Sequence, residues 1–394
     1  MDELAPRGWP WEKRGVSDAS DWLAEQLPAM EGALAALVDH NSFSTNREGG
    51  QRVVRLLEDV FSMPALEVER IGSERYADHL VLRSHGRAGE APVALIGHLD
   101  TVFPPGTFEH YRVDGALRRG PGVLDMKGGL VVIAWALKAI AQTKGLDAIA
   151  PLRIVIVSDE EVGSPEGAPL IRHVIAGARA ALVFESGRAN DAIVTERKGV
   201  GNLTAHAKGR AAHAGNAYWE GANSIWALSR FVERAQSLSS KDLGVTVNVG
   251  LISGGTSKNT VPATARAELD LRFPTKNAEA GLRTLLAEAA QDLGVPGVSL
   301  TLENGTGRSP MEKLPGVDAL VSQYGACAHA HGLGRDEAPR QGGGSDGNTT
   351  SAMGIPTIDA LGPRGKGFHT HDEYIEAATL ISRAQALADF LTQT

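Results

Sequence analysis

The sequence predicts an α/β fold in which helices cover both faces of a mixed, largely parallel sheet. Short apolar runs at 92–96, 152–157 and 181–184 have the length of buried strands, and they alternate with stretches of helical length. Such alternation favours a parallel sheet between two layers of helices. Between 199 and 308 the order becomes β-α-β-β-α-β, the pattern of a ferredoxin-like α+β domain.

This change of order divides the chain into two predicted domains. At 394 residues the chain is long for a single hydrophobic core. The strand–helix alternation resumes after the insertion. We therefore expect one domain from 1–198 plus 309–394, which carries the candidate metal ligands, and an inserted domain from 199–308.

The individual elements follow from apolar periodicity and from turn residues. In the larger domain we expect helices at 18–40, 48–62, 126–144 and 316–331, and strands at 77–84, 92–96, 152–157, 181–184 and 355–358. In the inserted domain we expect strands at 201–208, 245–251, 262–272 and 298–303, and helices at 222–238 and 277–293.

Charge and hydropathy exclude several classes of function. The net charge is −8 and no basic stripe is present, which argues against nucleic-acid binding. No apolar run approaches the roughly 20 residues that span a bilayer, so we expect no membrane insertion. The segment Met1–Pro6 begins with acids and lacks the apolar stretch of a secretory signal, which predicts a cytoplasmic protein.

Five short segments each place an acid or a histidine directly after an apolar run. These segments contain His98 and Asp100, Asp125, Asp159-Glu160-Glu161, Glu185, and His369 and His371. Ligands gather at the carboxyl ends of parallel strands, where His98, Glu160 and Glu185 are expected. Imidazoles with carboxylates are the ligand mix that zinc and related cations prefer. The pattern predicts a metal-dependent hydrolase with one carboxylate left over as a base.

The local chemistry gives some of these residues a role and leaves others open. Asp100 lies two residues from His98, on the same face of a strand, and suits the orientation of its ring. Asp125 could cap the following helix or bridge two metals. Glu160 and Glu161 would repel each other unless a cation lay between them, and one could bind it while the other reached a water molecule.

The segments that carry this pattern closely resemble the M20 family of metallopeptidases, in particular its glutamate carboxypeptidase branch. They are Gly97–Thr101, Gly122–Gly129, Ser158–Ser164, Phe184–Glu185 and His369–Tyr374. The resemblance runs from about residue 20 to the end and includes the inserted domain. It implies hydrolysis of an amide bond, peptide or N-acyl, next to a C-terminal amino acid with a free carboxylate.

The same resemblance implies two zinc ions per subunit and a role for each candidate residue. His98 and Glu185 would bind one ion, Glu161 and His369 the other, and Asp125 would bridge them. Glu160 would be the general base and Asp100 would orient His98. The spacing of four residues before Glu373 selects His369 over His371, between which the local chemistry does not decide.

Further residues are assigned by resemblance in and beside the inserted domain, which would act as a lid and form a homodimer. His213 would stabilise the oxyanion, often across the dimer interface, and Asn259 and Arg272 would bind the substrate carboxylate. Gly343 and Gly344 belong to a glycine-rich loop beside the site. The lysine that reads a glutamate side chain in this branch has no clear counterpart in 186–191, which leaves glutamate specificity open.

Three alternatives remain open at the level of sequence. Gly343–Gly347 also fits the G-x-S-x-G motif of serine hydrolases, with Ser345, Asp359 and His369 in the expected order. However, no buried strand precedes the serine, and the other acids and histidines would have no role. A non-catalytic metal-binding scaffold is disfavoured because the ligands and the base are all present. An aminoacylase or a xenobiotic amidohydrolase of the same fold is not separated from a carboxypeptidase by sequence.

Overall fold

The computed structural model describes residues 18–393, which form alternating helices and strands. The helices are α1 Asp18–Leu23, α2 Leu27–Val38, α3 Arg47–Val60, α4 Lys127–Thr143, α5 Gly167–Val174, α6 Ser224–Gln236, α7 Lys276–Ala289, α8 Val317–Ala330, α9 Asp346–Ala352 and α10 Ala378–Gln393. The strands are β1 Glu67–Ile71, β2 His79–Ser84, β3 Val93–His98, β4 Arg112–Asp114, β5 Leu117–Arg119, β6 Leu152–Val157, β7 Ala180–Val183, β8 Gly199–Lys208, β9 Ala212–His213, β10 Thr246–Gly254, β11 Thr260–Val261, β12 Thr264–Phe273, β13 Ser299–Asn304, β14 Thr357–Ile358, β15 Gly365–Lys366 and β16 Tyr374–Glu376.

The larger sheet confirms the predicted fold class. Its six strands lie in the order β1-β2-β6-β3-β7-β14. Strands β6, β3, β7 and β14 run parallel to one another, whereas β2 pairs antiparallel with β6, and β1 pairs antiparallel with β2 at the edge. The register pairs His98 with Val157 and Ile96 with Val183, so the three central strands end close together. Side chains that follow these strands are therefore brought to one edge of the sheet.

Helices cover both faces of this sheet. On one face, α1, α2, α4, α8 and α10 share a core that includes Leu130, Leu137 and Leu387. On the other face, Ile171 and Val174 of α5 pack against Val155 and Val183. Each fully buried aliphatic side chain contributes about 1.5–3 kcal/mol. The sheet therefore holds the strand ends that carry the candidate site in fixed positions.

The inserted segment forms a second sheet with its own core. Its strands lie in the order β10-β12-β8-β13, and every neighbouring pair is antiparallel. This order is that of a ferredoxin-like domain. Buried residues of β8 and β12 alternate with more exposed ones, and Phe231 of α6 and Leu286 of α7 pack on the apolar face. The domain boundaries at 198/199 and 308/309 stay a prediction.

Some elements differ from expectation. The helix expected at 18–40 is divided into α1 and α2, because Pro28 has no N–H to continue a helix and instead begins a new one. The pairs β4–β5 and β15–β16 were not expected, and they join in a small four-stranded sheet. Helix α9 was also missed, since its Gly-Asn-Thr-Thr sequence has low helix propensity.

None of the helices within residues 18–393 combines the length and the apolar content that crossing a membrane requires. The expectation for Met1–Pro6, and with it the predicted cytoplasmic location, lies outside the described residues.

Candidate metal centre

The structure brings the acids and histidines of the five segments to one edge of the larger sheet. His98 is the last residue of β3, Glu160 and Glu161 follow β6, and Glu185 follows β7. Asp125 precedes α4 by two residues, and His369 lies after β15. His98, Asp125 and Glu161 offer ligand atoms within 4.8 Å of one another, and so do His98, Glu160 and Glu185.

Asp125 lies between two histidines and turns a different oxygen to each. Its Oδ1 is 3.4 Å from His98 Nε2, and its Oδ2 is 3.4 Å from His369 Nε2. Beyond them, Glu185 Oε1 lies 3.7 Å from His98 Nε2, and Glu161 Oε2 lies 3.1 Å from His369 Nε2. The arrangement contains two histidine–carboxylate pairs joined by one shared carboxylate. A carboxylate in this position can bridge two cations.

Several ligand atoms of this cluster are buried without a hydrogen bond. They are His98 Nε2, Asp125 Oδ1 and Glu161 Oε1. Buried polar atoms nearly always have a partner, because leaving one unsatisfied costs about 1–3 kcal/mol. Divalent cations bound in this cluster would satisfy these atoms. The donor set of imidazoles and carboxylates therefore fits a transition-metal site.

Crowding and burial disfavour the charged forms of the acids. Burial raises the pKa of Glu160 to about 7, that of Glu161 to about 8 and that of Glu185 to about 7. Contacts with Asp125 and Glu161 raise the pKa of His369 to about 10. Without a metal, these glutamates and His369 therefore tend to be protonated, and the protons reduce the repulsion between the carboxylates. A bound cation would replace those protons and stabilise the carboxylates.

Asp100 holds both His98 and the segment that carries the two glutamates. His98 Nδ1 lies 3.0 Å from the backbone carbonyl of Asp100 and 3.3 Å from its Oδ1. The carboxylate also accepts the backbone N–H groups of Glu160 at 3.1 Å and Glu161 at 3.2 Å, and the hydroxyl of Ser44 at 2.6 Å. The ring is fixed mainly by the backbone, and the carboxylate mainly fixes the glutamates.

Glu373 performs a comparable task for Asp125. Its carboxylate is buried and accepts the N–H groups of Gly122, Leu124 and Asp125 at 2.8–3.2 Å. Asp125 does not cap α4, because Met126 occupies that position and no side chain caps the helix. Its carboxylate is consequently free to face the two histidines.

The structure separates His369 from His371. His369 reaches Asp125 and Glu161, whereas the ring of His371 stacks on Phe108 with 5.4 Å between centroids. His369 has a φ of +62°, a conformation that costs energy for a residue with a side chain. Such strained residues persist where the surroundings fix them, and they cluster at functional sites.

Arg308 is part of the site but carries no sequence signal. Its Nη1 lies 2.9 Å from Glu160 Oε1 and 3.1 Å from Asp346 Oδ1, and its Nη2 donates to the backbone carbonyl of Glu160 at 2.8 Å. Burial raises the pKa of Glu160 and the Arg308 guanidinium opposes that rise. The residue follows Gly305-Thr306-Gly307, where no periodic pattern indicates a role.

Two of the candidates in the inserted domain lie side by side. His213 in β9 pairs with Thr260 in β11, and the carbonyl of Asn259 accepts the N–H of Ala214. His213 Nδ1 accepts the N–H groups of Gly215 and Asn216, so the neutral ring carries its proton on Nε2. This nitrogen is a hydrogen-bond donor, as an oxyanion requires.

Arg272 is not brought together with these two residues by any contact in the described chain. Its Nε and Nη2 donate to the two oxygens of Asp270 at 2.8 and 2.9 Å. The guanidinium fork is therefore occupied by a neighbour on the same strand. The role of Arg272 in binding a substrate carboxylate remains a prediction.

Gly343 and Gly344 have room for a side chain, whereas Ser345 is held in place by hydrogen bonds. A Cβ on Gly343 would meet no atom within 4 Å, and one on Gly344 would make ordinary contacts. The space beside Gly343 is open. Ser345 caps α9, accepts the N–H of Gly347 and donates to Asp359 at 2.6 Å. The serine-hydrolase alternative is wrong, because His369 contacts Asp125 and Glu161 while Ser345 is held by an acid.

Comparison with known proteins agrees with this geometry. Residues 94–393 match peptidase family M20/M25/M40. The chain is 28% identical over 368 residues to carboxypeptidase G2 of a Pseudomonas species (strain RS-16), covering 91% of this chain and 88% of that one. It is 29% identical over 302 residues to acetylornithine deacetylase of Myxococcus xanthus, covering 68% and 74%.

Solved structures share the fold. Aminopeptidase PepT of Bacillus cereus superposes with a TM-score of 0.76 at 20% identity, over 93% of this chain and 98% of that one. The YXEP protein of Bacillus subtilis, described as a dinuclear metal binding peptidase, superposes with a TM-score of 0.68 at 16% identity, over 93% and 98%. The sequence match, the shared fold and the ligand cluster lead to one conclusion: this chain belongs to the M20/M25/M40 peptidase family and is a metallohydrolase.

Proposed function

We propose that the protein is a di-zinc hydrolase that cleaves a peptide or N-acyl amide bond next to a C-terminal amino acid with a free carboxylate. The observation that carries this proposal is the position of Asp125, which turns one oxygen to His98 and the other to His369. The names of two relatives, a carboxypeptidase and a deacetylase, support an amide substrate. One structural neighbour, the YXEP protein, is described as a dinuclear metal binding peptidase, which supports the presence of two ions here.

The donor set favours zinc. Each half of the site offers one histidine nitrogen and carboxylate oxygens, which suit zinc better than the all-oxygen sets of magnesium or calcium. We assign His98 and Glu185 to one ion, Glu161 and His369 to the other, and Asp125 to both. When bound, such a pair of ions lowers the pKa of water and polarises a carbonyl oxygen.

The protein groups around the ions perform the proton transfers. Glu160 is the general base: it takes a proton from the attacking water and returns it to the leaving amine nitrogen. Arg308 contacts Oε1 of Glu160 and fixes the direction of the carboxyl group. Burial raises the pKa of Glu160 to about 7 in the metal-free protein, and a nearby cation would lower it, so that Glu160 is ionised and can act as a base at neutral pH.

His213 supplies the hydrogen bond that the oxyanion requires. Its Nε2–H is free to donate, since Nδ1 accepts two backbone N–H groups. Removing a donor of this kind typically lowers kcat by about 10²–10³. Asn259 lies beside His213 and would bind the substrate carboxylate there, and Arg272 would join it after leaving Asp270.

A homodimer through the inserted domain is part of this proposal. Exposed apolar side chains lie on β10, on α6 and just before α6: Leu251 is 64% exposed, Trp226 48% and Trp219 92%. Strand β10 is an edge strand, so its unpaired backbone groups can pair with a second copy. A dimer formed there would bring His213 of the partner subunit to the metal centre, as the resemblance implies.

A hydrolysis screen of the zinc-loaded protein tests the function. We expect cleavage of dipeptides and N-acyl amino acids, and no cleavage of the same compounds after the terminal carboxylate is amidated. Glu160→Gln is the matched control, since it keeps the shape of the base but cannot take a proton. Cleavage of N-acyl amino acids alone would instead identify an aminoacylase, and cleavage of carboxylate-free amides a xenobiotic amidohydrolase. Undiminished turnover by Glu160→Gln would contradict the mechanism.

A further inference from the structure

Arg188 lies beside the metal centre. It follows Glu185 by three residues, on a segment that is held to 362–363 by the hydrogen bond from Gly187 N–H to the carbonyl of Pro363. Its guanidinium carbon is 5.5 Å from the centroid of the Phe368 ring. The Phe368 ring in turn lies 5.5 Å from that of His369. The Phe368 ring thus contacts both the Arg188 guanidinium and the candidate metal ligand His369, and the charges of Glu185 and Asp125 act on Arg188.

The other arginines around this region all have carboxylate partners. Arg308 pairs with Glu160 and Asp346, Arg197 with Asp359, Arg364 with Asp191 and Glu376, and Arg383 with Asp191. Arg188 has no ion pair within residues 18–393, and its Nε is buried without a hydrogen bond. Burying a guanidinium costs free energy unless an anion compensates for it. Nothing in the described chain provides that compensation by direct contact.

The surroundings of Arg188 are consistent with an anion-binding site. Burial lowers the pKa of Arg188 and Arg197 lowers it further, while Asp359 and Glu185 oppose this effect from a distance. Asp359 is already paired with Arg197, and Glu185 faces His98. Phe368 lies against the guanidinium, and within residues 18–393 no atom accepts a hydrogen bond from Nη1 or Nη2, which leaves these two groups for a ligand. A planar fork of this kind binds a carboxylate through two parallel hydrogen bonds.

We propose that Arg188 binds a second carboxylate of the substrate, which makes it a specificity-determining residue for dicarboxylic substrates. This inference rests on the proposed amide hydrolysis, in which the first carboxylate is bound by the inserted domain. The second carboxylate has two sources: the side chain of an acidic C-terminal residue, or a dicarboxylic acyl group. Both sources offer the same chemistry to the guanidinium, and suitable substrates distinguish them.

The test compares three substrates of the full-length, zinc-loaded protein. N-acetyl-alanine has one carboxylate, N-acetyl-glutamate has a second one in its side chain, and N-succinyl-alanine has a second one in its acyl group. We expect one of the dicarboxylic compounds to have the highest kcat/KM. Arg188→Met should reduce its advantage over N-acetyl-alanine by about ten- to hundredfold, mainly through KM, because a charge-assisted contact is lost.

Two further variants test whether the preference for dicarboxylic substrates depends on the positive charge of Arg188. Arg188→Lys keeps the positive charge but not the fork, and should recover part of the preference. Arg172→Met removes an exposed arginine of α5 and should leave the preference unchanged. If Arg188→Met lowered kcat/KM equally for all three substrates, Arg188 would only support the local structure, and the inference would be overturned.

Binding measured by calorimetry separates this inference from the proposed function. In the zinc-loaded Glu160→Gln background, we expect the preferred dicarboxylic compound to bind about ten- to hundredfold more weakly once Arg188 is replaced by Met. Equal affinity with and without Arg188 would overturn the inference even if hydrolysis is observed. If none of the three compounds is hydrolysed, calorimetry still decides the role of Arg188, while hydrolysis of dipeptides decides the proposed function.

Discussion

Arg308 Nη1 lies 2.9 Å from Glu160 Oε1. This contact connects the candidate base to the segment through which the chain leaves the inserted sheet. The backbone N–H and carbonyl of Arg308 pair with Val200 at the start of β8. Residues 199–200 and 308 therefore run side by side where the chain enters and leaves the inserted sheet. Arg308 therefore connects Glu160 directly to the point where the inserted sheet begins and ends.

Replacing Arg308 by Met should lower kcat by about ten- to hundredfold, since a charged hydrogen bond to the base is lost. Burial raises the pKa of Glu160 and Arg308 opposes this rise, so removing the cation raises the pKa further. Less Glu160 is then ionised at pH 7, and the acidic limb of the kcat/KM profile moves to higher pH. A pH–rate profile measures this shift. Arg308→Lys keeps the charge and should shift the limb less; an unmoved limb in Arg308→Met would show that Arg308 does not act on the base.

Asp100→Asn should weaken zinc binding by about ten- to hundredfold, as is typical when the residue behind a metal ligand is changed. Asn has one acceptor oxygen in place of two, so it cannot accept both the Glu160 and the Glu161 N–H groups while bonding Ser44. Competition with a chromophoric chelator measures the affinity. Ser44→Ala removes only one of these hydrogen bonds and should have a smaller effect. Equal zinc affinity in wild type and Asp100→Asn would disprove the role.

The parts of the site that lie at strand ends could be predicted from the sequence, and the parts that depend on distant segments could not. His98 and Glu185 directly follow apolar runs, so their places at the sheet edge follow from the pattern of β3 and β7. The role of Asp125 stayed open, because it depends on His369, which arrives from the far end of the chain. Arg308 and Arg188 have no local pattern, since each is defined by contacts with residues remote in sequence.

The same reasoning applies to the fold. The β-α-β-β-α-β order of the inserted segment was predictable because each element alternates or repeats with its own period. The small sheet of β4, β5, β15 and β16 was not, because strands of two or three residues are too short to display a period. This sheet pairs Lys366 with Tyr374 across the turn that carries His369.

Removing the metal should destabilise the protein most at alkaline pH. Burial raises the pKa of Glu160, Glu161 and Glu185 above 4.5, to about 7–8, so the metal-free folded state binds more protons than the unfolded state in that interval. The stability of the metal-free protein therefore falls as pH rises from about 4.5 to about 8. Zinc replaces those protons, so the increase in Tm on adding zinc should be larger at pH 8.5 than at pH 5.5.

Thermal unfolding with a chelator and with zinc, at both pH values, measures this difference. A zinc concentration a thousand times Kd should add about 4 kcal/mol to the free energy of unfolding. Asp125→Asn is the matched control, because it should reduce the zinc effect without removing the three glutamates. An increase in Tm of the same size at both pH values would contradict the electrostatic account of the site.

Leu251→Glu should convert a dimer into a monomer. Leu251 is 64% exposed on the edge strand β10, and a charge there would have to be desolvated in an interface. Light scattering measures the mass, and Leu285→Glu on α7 is the control, since Leu285 is 47% exposed on a different element. The monomer should also lose activity by about 10²–10³ if the partner's His213 stabilises the oxyanion. A wild-type monomer with full activity would contradict both the dimer and this role of His213.

Glu373→Gln should lower both stability and zinc affinity. The carboxylate accepts N–H groups of Gly122, Leu124 and Asp125, and an amide has only one oxygen for these donors. Leaving one buried N–H without an acceptor costs about 1–3 kcal/mol. Chemical denaturation measures the loss, and the zinc affinity should fall with it because Asp125 loses its support. Asp372→Asn, one residue away and exposed, should change neither quantity. If Glu373→Gln lowered stability but bound zinc like the wild type, the loop would be held by other contacts, and Glu373 would have no part in positioning Asp125.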